Sequence, residues 1–144
     1  MLVKLIGVCL LLAFHAQARP RIAIINSQVA ITETVDGQNA ARMLEEKFRQ
    51  CMRRIESQGL TGAPEHRRQI EVVKREIEEE KLKVLQDLAN RLVEVVSKFA
   101  ARKRYELVVD VSDPKAAVMW FRKSSDITKE VVAEYNRMFA PPRP

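Results

Sequence analysis

Apolar residues recur at helical spacing through the middle of the chain. Ala40, Leu44, Phe48, Cys51 and Ile55 step by four, four, three and four, and Ile70, Val73, Ile77, Val84, Leu88, Leu92, Val95 and Phe99 carry a second stripe. Each stripe is narrow, as in a coiled coil, wide enough for one partner helix. Gly59, Gly62 and Pro64 interrupt the periodicity between them, and Pro64 suits the first turn of a new helix. Two facing stripes predict an antiparallel helical hairpin over residues 38–104 with its tip at 59–64. A polar gap, Glu78-Glu79-Glu80-Lys81, breaks the second stripe.

The two arms differ in length, about 21 residues out and about 40 back, or roughly 30 Å against 60 Å at 1.5 Å per residue. The second helix therefore extends beyond the first, and its apolar end, Leu88 to Phe99, is expected to pack on a body or on another subunit. Arg102-Lys103-Arg104 suits the negative end of that helix.

Short β-prone runs flank the hairpin. Arg21 to Asn26 reads as a strand, Val29 to Ile31 as a helical turn, and Asp36-Gly37 as a loop signal. Glu106 to Val111 and Ala116 to Phe121 read as two strands joined by Ser112-Asp113-Pro114-Lys115, an antiparallel pair. Trp120 and Phe121 are expected as core or interface anchors. A last helix follows with Thr128 as N-cap, Glu130 in its first turn and Ile127 stapled to Val132, ending near Met138 before Pro141-Pro142-Arg143-Pro144. The fold class is α+β, a small body at 19–37 and 105–140 with the hairpin inserted between the first and second strands and a flexible tail at 141–144.

Residues 1–18 carry Lys4, an apolar run from Leu5 to Phe14, and Ala16-Gln17-Ala18. This is the pattern of a cleaved secretory signal peptide, and it predicts an exported protein that starts near Arg19. The run is too short to cross a hydrocarbon core of about 30 Å. Cleavage removes Cys9 and leaves Cys51 as the lone cysteine, so no intrachain disulfide can form. Cys51 lies on the first apolar stripe and is expected as a small core residue.

The full chain carries 25 basic and 19 acidic residues. After the leader, 19–37 balances at two against two and 105–144 at six against six, while 38–104 holds sixteen basic and eleven acidic residues. The whole excess sits on the hairpin, where it would attract acidic partners or polyanions by a field that salt screens within about 8 to 10 Å. Pairs such as Glu71 with Arg75 and Glu79 with Lys83 give the same charges a role in solvated helix faces. The residue pattern speaks against an enzyme: the single remaining histidine, His66, sits near the tip, with no phosphate-binding glycine loop and no metal-ligand spacing. No cofactor is expected. Basic helices without a base-reading motif, behind an export signal, also speak against nucleic acid.

Three short motifs carry a resemblance. Ile22 to Asn26, Glu106-Leu107-Val108-Val109-Asp110 and Asp126-Ile127-Thr128 with Val131 stand in the order found in the Skp or OmpH-like family of periplasmic chaperones. That resemblance implies a homotrimer whose strands assemble one β-barrel body. Three tentacles would then enclose a cavity that holds unfolded outer-membrane proteins without ATP, in the periplasm. The arms are somewhat shorter than in the best-known members. A body of 59 residues (19 plus 40) with no disulfide is also small to fold alone, which agrees with a shared core. Ile22, Ile24, Leu107, Val109, Val118 and Trp120 are the candidate trimer-body residues. Arg53, Arg54, Arg67, Arg68, Lys74 and Arg75 are the candidate electrostatic client-binding residues. The family has been linked to lipopolysaccharide, so transient contact with it or with a membrane surface joins the expected partners, although these basic pairs are assigned as charge and not as a lipid site. A structural or adaptor trimer of the cell envelope, docking a folded partner, is the alternative.

Overall fold

A computed structural model describes residues 20–57, 64–113, 115 and 117–139 of the chain. The leader, most of the tip and the tail expected from the sequence lie outside them. The protein is mostly helical with a small parallel sheet: β1 Ile22–Ile25, α1 Ser27–Glu33, α2 Val35–Ser57, α3 Pro64–Lys103, β2 Leu107–Asp110, a 3-10 turn at Lys123–Ser125, and α4 Thr128–Phe139. As the proline pattern indicated, α3 opens at Pro64, where a missing N–H costs nothing.

The sheet pairs β1 with β2 in register, Ile22 with Leu107 through Ile25 with Asp110. Ala23, Ile25 and Val108 pack with Leu92, Val95 and Phe99 of α3 and with Ile127, Val131 and Tyr135. These residues form the core, and α3 is its central post. The opposite sheet face carries Ile22, 46% exposed, and Leu107, 52% exposed. Since register partners in a parallel pair share a face, one side of this sheet is buried, and the other is open at Ile22 and Leu107 but closed at Ile24, 6% exposed.

Two strand expectations are corrected. Among the described residues β2 pairs only with β1, and in parallel, while 117–121 forms no strand. The returning α3 delivers β2 beside the start of β1, where Glu106 N–H donates to Arg21 O at 2.9 Å, and a connection this long permits a parallel pair. The other edge of β1 is also taken: Ile24 bridges Asp126, and Ile127 N–H donates to Ile24 O at 2.9 Å. A β-prone run becomes a strand only where a partner edge accepts its backbone.

The three motifs that carry the resemblance meet at this place. Asn26 N–H donates to Thr128 Oγ1 at 3.0 Å, and Thr128 N–H and hydroxyl both donate to Asp126 Oδ1 at 2.9 and 2.6 Å. The opening of α4 is thus organised by Asp126, two residues ahead of the expected cap, and Ile127 O accepts the first turn's bond from Val131 N–H. Asp110 accepts from Ser27 N–H at 3.1 Å, from Ser27 Oγ at 2.5 Å and from Ser112 N–H at 2.9 Å. Partial burial pushes that carboxyl up, but these bonds outweigh it and hold its pKa below the usual range.

Asp36-Gly37 does not form a loop. Thr34 alone separates α1 from α2, and its hydroxyl donates to Ile31 O at 2.8 Å and accepts from Gly37 N–H at 3.0 Å. A Cβ at Gly37 would lie 2.0 Å from Ile31 O, so the glycine is required by the closeness of two helix ends. The helical segment therefore begins three positions earlier than expected, at Val35 in place of Gln38. At the other end of the segment Arg104 takes φ 58, and Tyr105 N–H reaches back to Ala100 O at 3.0 Å to close α3.

Candidate functional site

The arm begins where α2 and α3 pair. Asp36 meets Arg91 at 3.1 Å, and Lys47 meets Glu80, so pairs step down one helix as they step up the other. Every apolar stripe position named from the sequence is half-buried or buried, from Ala40 to Ile55 on α2 and from Ile70 to Phe99 on α3. The polar gap has a purpose in this seam. Glu80 occupies the stripe position between Ile77 and Val84, is half-buried, and raises the pKa of Lys47 by its hydrogen bond. Cys51 is half-buried in the same seam.

Paired positions sum to 127 (36 plus 91, 47 plus 80), and extending this register sets Arg53 and Arg54 level with Lys74 and Val73. On that extended register Arg53, Arg54, Lys74 and Arg75 would fall at one level of the arm as a basic belt. Arg67 and Arg68 lie roughly 10 Å nearer the tip, at 1.5 Å per residue. All six are exposed. Arg53 pairs with Glu46 at 3.0 Å, Lys74 with Glu71 at 3.1 Å and Arg68 with Glu65 at 4.0 Å, while Arg54, Arg67 and Arg75 make no ion pair among the described residues. Residues 49–75 hold seven basic and three acidic residues, so four of the hairpin's five surplus charges sit on its outer part.

Val72 stands within this charge, and exposed apolar side chains continue toward the body. Val72 is 42% exposed and Leu82 60%, and Leu85 and Met43 are also exposed. Nearer the body, a groove of about 340 Å³ opens between α1, α2 and α3, lined by Ile31, Ala40, Ala41, Leu44, Val84 and Leu85 among others.

The root of the arm is held by α4. Asp36 Oδ2 accepts from Arg91 Nη1 at 3.1 Å and from the Tyr135 hydroxyl at 3.3 Å, and the Arg91 guanidinium stands 5.6 Å from the Phe139 ring centre. Asn136 Oδ1 accepts from Val35 N–H at 2.9 Å, taking up a free donor at the start of α2. Glu134 binds Arg137 at 2.7 Å and Arg102 at 2.9 Å, and the two guanidinium groups hold its pKa down to about 2. Burial, with the Asp36 charge behind it, pushes the Tyr135 phenol up.

The candidate trimer-body residues do not share one environment in the single chain. Ile22 and Leu107 are exposed, Val109 and Val118 half-buried, and Ile24 buried. Trp120 is 79% exposed and its neighbour Met119 97%, so Trp120 is no anchor for this chain's own core. Sequence periodicity missed Asp36, Arg91, Tyr135 and Asn136, which act through polar contacts between separate helices. Among the described residues no three or more His, Cys, Asp or Glu side chains are grouped to hold a metal ion, and no helix is long and apolar enough to cross a membrane.

The family model described as Outer membrane protein (OmpH-like) matches residues 64–135, which is 72 of the 144 residues. The chain belongs to the OmpH-like family. The match takes in α3, β2 and most of α4, so the OmpH-like region holds the long helix and two of the three converging motifs. The crystal structure of a candidate outer membrane chaperone (OmpH-like) from Caulobacter crescentus CB15 is similar, with a TM-score of 0.59 and 17% identity over 88% of this chain and 89% of that one. At that identity the likeness shows a shared fold. No curated protein matches the chain.

Proposed function

We propose that this OmpH-like protein is an ATP-independent holdase of the periplasm that keeps unfolded outer-membrane β-barrel proteins from aggregating. The observation that carries the reading is the outer arm: a basic excess of four charges over residues 49–75, with Val72 exposed among them and Leu82, Leu85 and Met43 exposed nearer the body. Unfolded barrel chains expose alternating apolar residues and unpaired backbone and aggregate unless kept apart. Basic arms attract such a chain when it is acidic, and many weak apolar contacts hold it without imposing a fold. Contacts of that kind release downhill, so no nucleotide is required, and the role is not enzymatic.

The working unit in this proposal is a homotrimer whose antiparallel α2–α3 hairpins surround the client. Exposed apolar surface on the body supports it, since Ile22 and Leu107 on the sheet are about half exposed and Trp120 and Met119, outside the strands, are 79% and 97% exposed in one chain. Exposed apolar surface of this kind marks an interaction site, and a body shared by three copies would cover it and complete the sheet edges. The same arm charge would support transient contact with anionic lipopolysaccharide.

Dilution of a urea-unfolded barrel protein into buffer tests the proposal by turbidity. Suppression at one trimer per client, without nucleotide and for several unrelated barrels, is expected. Aggregation at the rate of the client alone would overturn it, and selective binding of one folded partner would favour an envelope adaptor.

A further inference from the structure

The last helix ends against the arm. Glu134 meets Arg102 at 2.9 Å, and the Arg91 guanidinium stands 5.6 Å from the Phe139 ring centre, so α4 advances along α3 from the body toward the arm. Ahead of Phe139 a groove of about 510 Å³ opens, lined among others by Asp36, Ala40 and Met43 of α2 and by Val84, Asp87 and Arg91 of α3. Its near end is the Asp36–Arg91 pair that the Tyr135 hydroxyl joins. Ala40, Met43 and Val84 are its apolar part, and Met43 is 51% exposed. Asp87 is exposed and makes no ion pair among the described residues, whereas Arg91, one turn along, is already taken by Asp36.

We propose that the segment following α4, Ala140-Pro141-Pro142-Arg143-Pro144, lies in this groove as a strap, with its prolines on Met43 and Val84 and Arg143 on Asp87. The segment lies outside the described residues. Reach, conformation and charge together assign it to the groove. Proline at 141 disfavours a helical Ala140 and cannot continue the hydrogen bonds of α4, which favours an extended exit. A polyproline rise of about 3.1 Å per residue carries Pro142 roughly 9 Å and Arg143 roughly 12 Å beyond Phe139. The groove runs roughly 10 Å from Arg91 to Val84 at 1.5 Å per residue, so the prolines come level with its apolar part. From there the long Arg143 side chain can return to Asp87. Arg143 is the one charged residue of the segment, and it meets a carboxylate that no described cation pairs. Proline-rich segments suit apolar grooves because their extended form is already stiff and loses little freedom on docking. The family match stops at residue 135, so the strap is a feature of this chain beyond the shared OmpH-like region. Seated, it withdraws Met43 from the apolar surface that other chains can reach.

The strap is independent of the holdase reading, and paired cysteines in the exported chain carrying Cys51→Ser test it. Disulfide formation under mild oxidant is followed by mass, which separates bonds within a chain from bonds between chains. Met43→Cys with Pro142→Cys is expected to close within one chain. Gln86→Cys with Pro142→Cys, at a similar level of the arm but on another face of α3, is expected to stay largely reduced. In the first pair Asp87→Lys should slow closure roughly two- to fivefold, the size an exposed ion pair carries, and Arg143→Glu added to it should restore the rate. Equal closure at Met43 and Gln86 would overturn the strap and leave the groove open to a client. Bonds mainly between chains would also overturn it, with a second copy as the occupant. A slowed rate that Arg143→Glu does not restore would overturn the pairing of Arg143 with Asp87.

Discussion

Asp36 and Arg91 close an ion pair at 3.1 Å across the root of the arm, and the Tyr135 hydroxyl joins the same carboxylate oxygen at 3.3 Å. One carboxylate therefore ties α2, α3 and α4 together. Its side chain is 20% exposed, against 51% for Glu94 in the intrahelical pair with Lys98. Pairs of the second kind are worth little, whereas loss of Asp36 leaves a guanidinium and a phenol without their partner. Asp36→Ala is expected to cost about 1–3 kcal/mol in urea unfolding, and Glu94→Ala no more than about 0.5 kcal/mol. Equal small effects would show that the root is not held by this carboxylate.

Gly37 gives a second outcome. Because a Cβ there meets Ile31 O at 2.0 Å, Gly37→Ala forces α1 and α2 apart although alanine favours helix. The variant is expected to lose more than about 1 kcal/mol in spite of its better helix propensity. A raised melting temperature would show that the corner relaxes freely.

Glu134 makes stability depend on acid. Its pKa in the fold is about 2 against an ordinary 4.5, because Arg137 and Arg102 hold the charged form. A carboxylate with a depressed folded-state pKa stabilises the fold above its unfolded value and stops doing so as pH falls through the folded one. The melting temperature is therefore expected to drop between pH 4.5 and 2, and Glu134→Gln to flatten part of that drop while lowering stability at neutral pH. Asp110, also held below its usual range, leaves a residual slope in the variant. An identical acid profile in the variant would remove Glu134 from the explanation.

The basic belt should act through its field. Neutralising Arg53, Arg54, Lys74 and Arg75 together to Gln is expected to weaken capture of an acidic unfolded client about tenfold at low salt. The difference should fade near 1 M salt, where the screening length falls to about 3 Å. Fluorescence anisotropy of a labelled client reads both. A loss that persists at high salt would mean that these side chains act by contact and not by charge.

Much of the arm was legible in the sequence, because a helix pair buries one stripe and the stripe positions announce themselves at spacings of three and four. Ile55 and Leu92 lie on the expected stripes and are buried. The body was harder to read. Ala116 to Phe121 has β-prone composition, but composition does not say whether an edge is free, and β1's second edge goes to Asp126. Asp36-Gly37 has turn chemistry, yet its glycine serves close packing, which depends on where Ile31 O falls in space. The contacts at the root of the arm left no periodic trace, since Asp36, Arg91 and Tyr135 come from three helices and meet only in the folded chain.

Light scattering read as mass tests most directly whether a trimer of this chain holds an unfolded barrel protein. The exported chain alone should weigh three copies, and addition of a urea-diluted barrel protein should yield a soluble species of three copies and one client. A monomer that forms no soluble complex would contradict it.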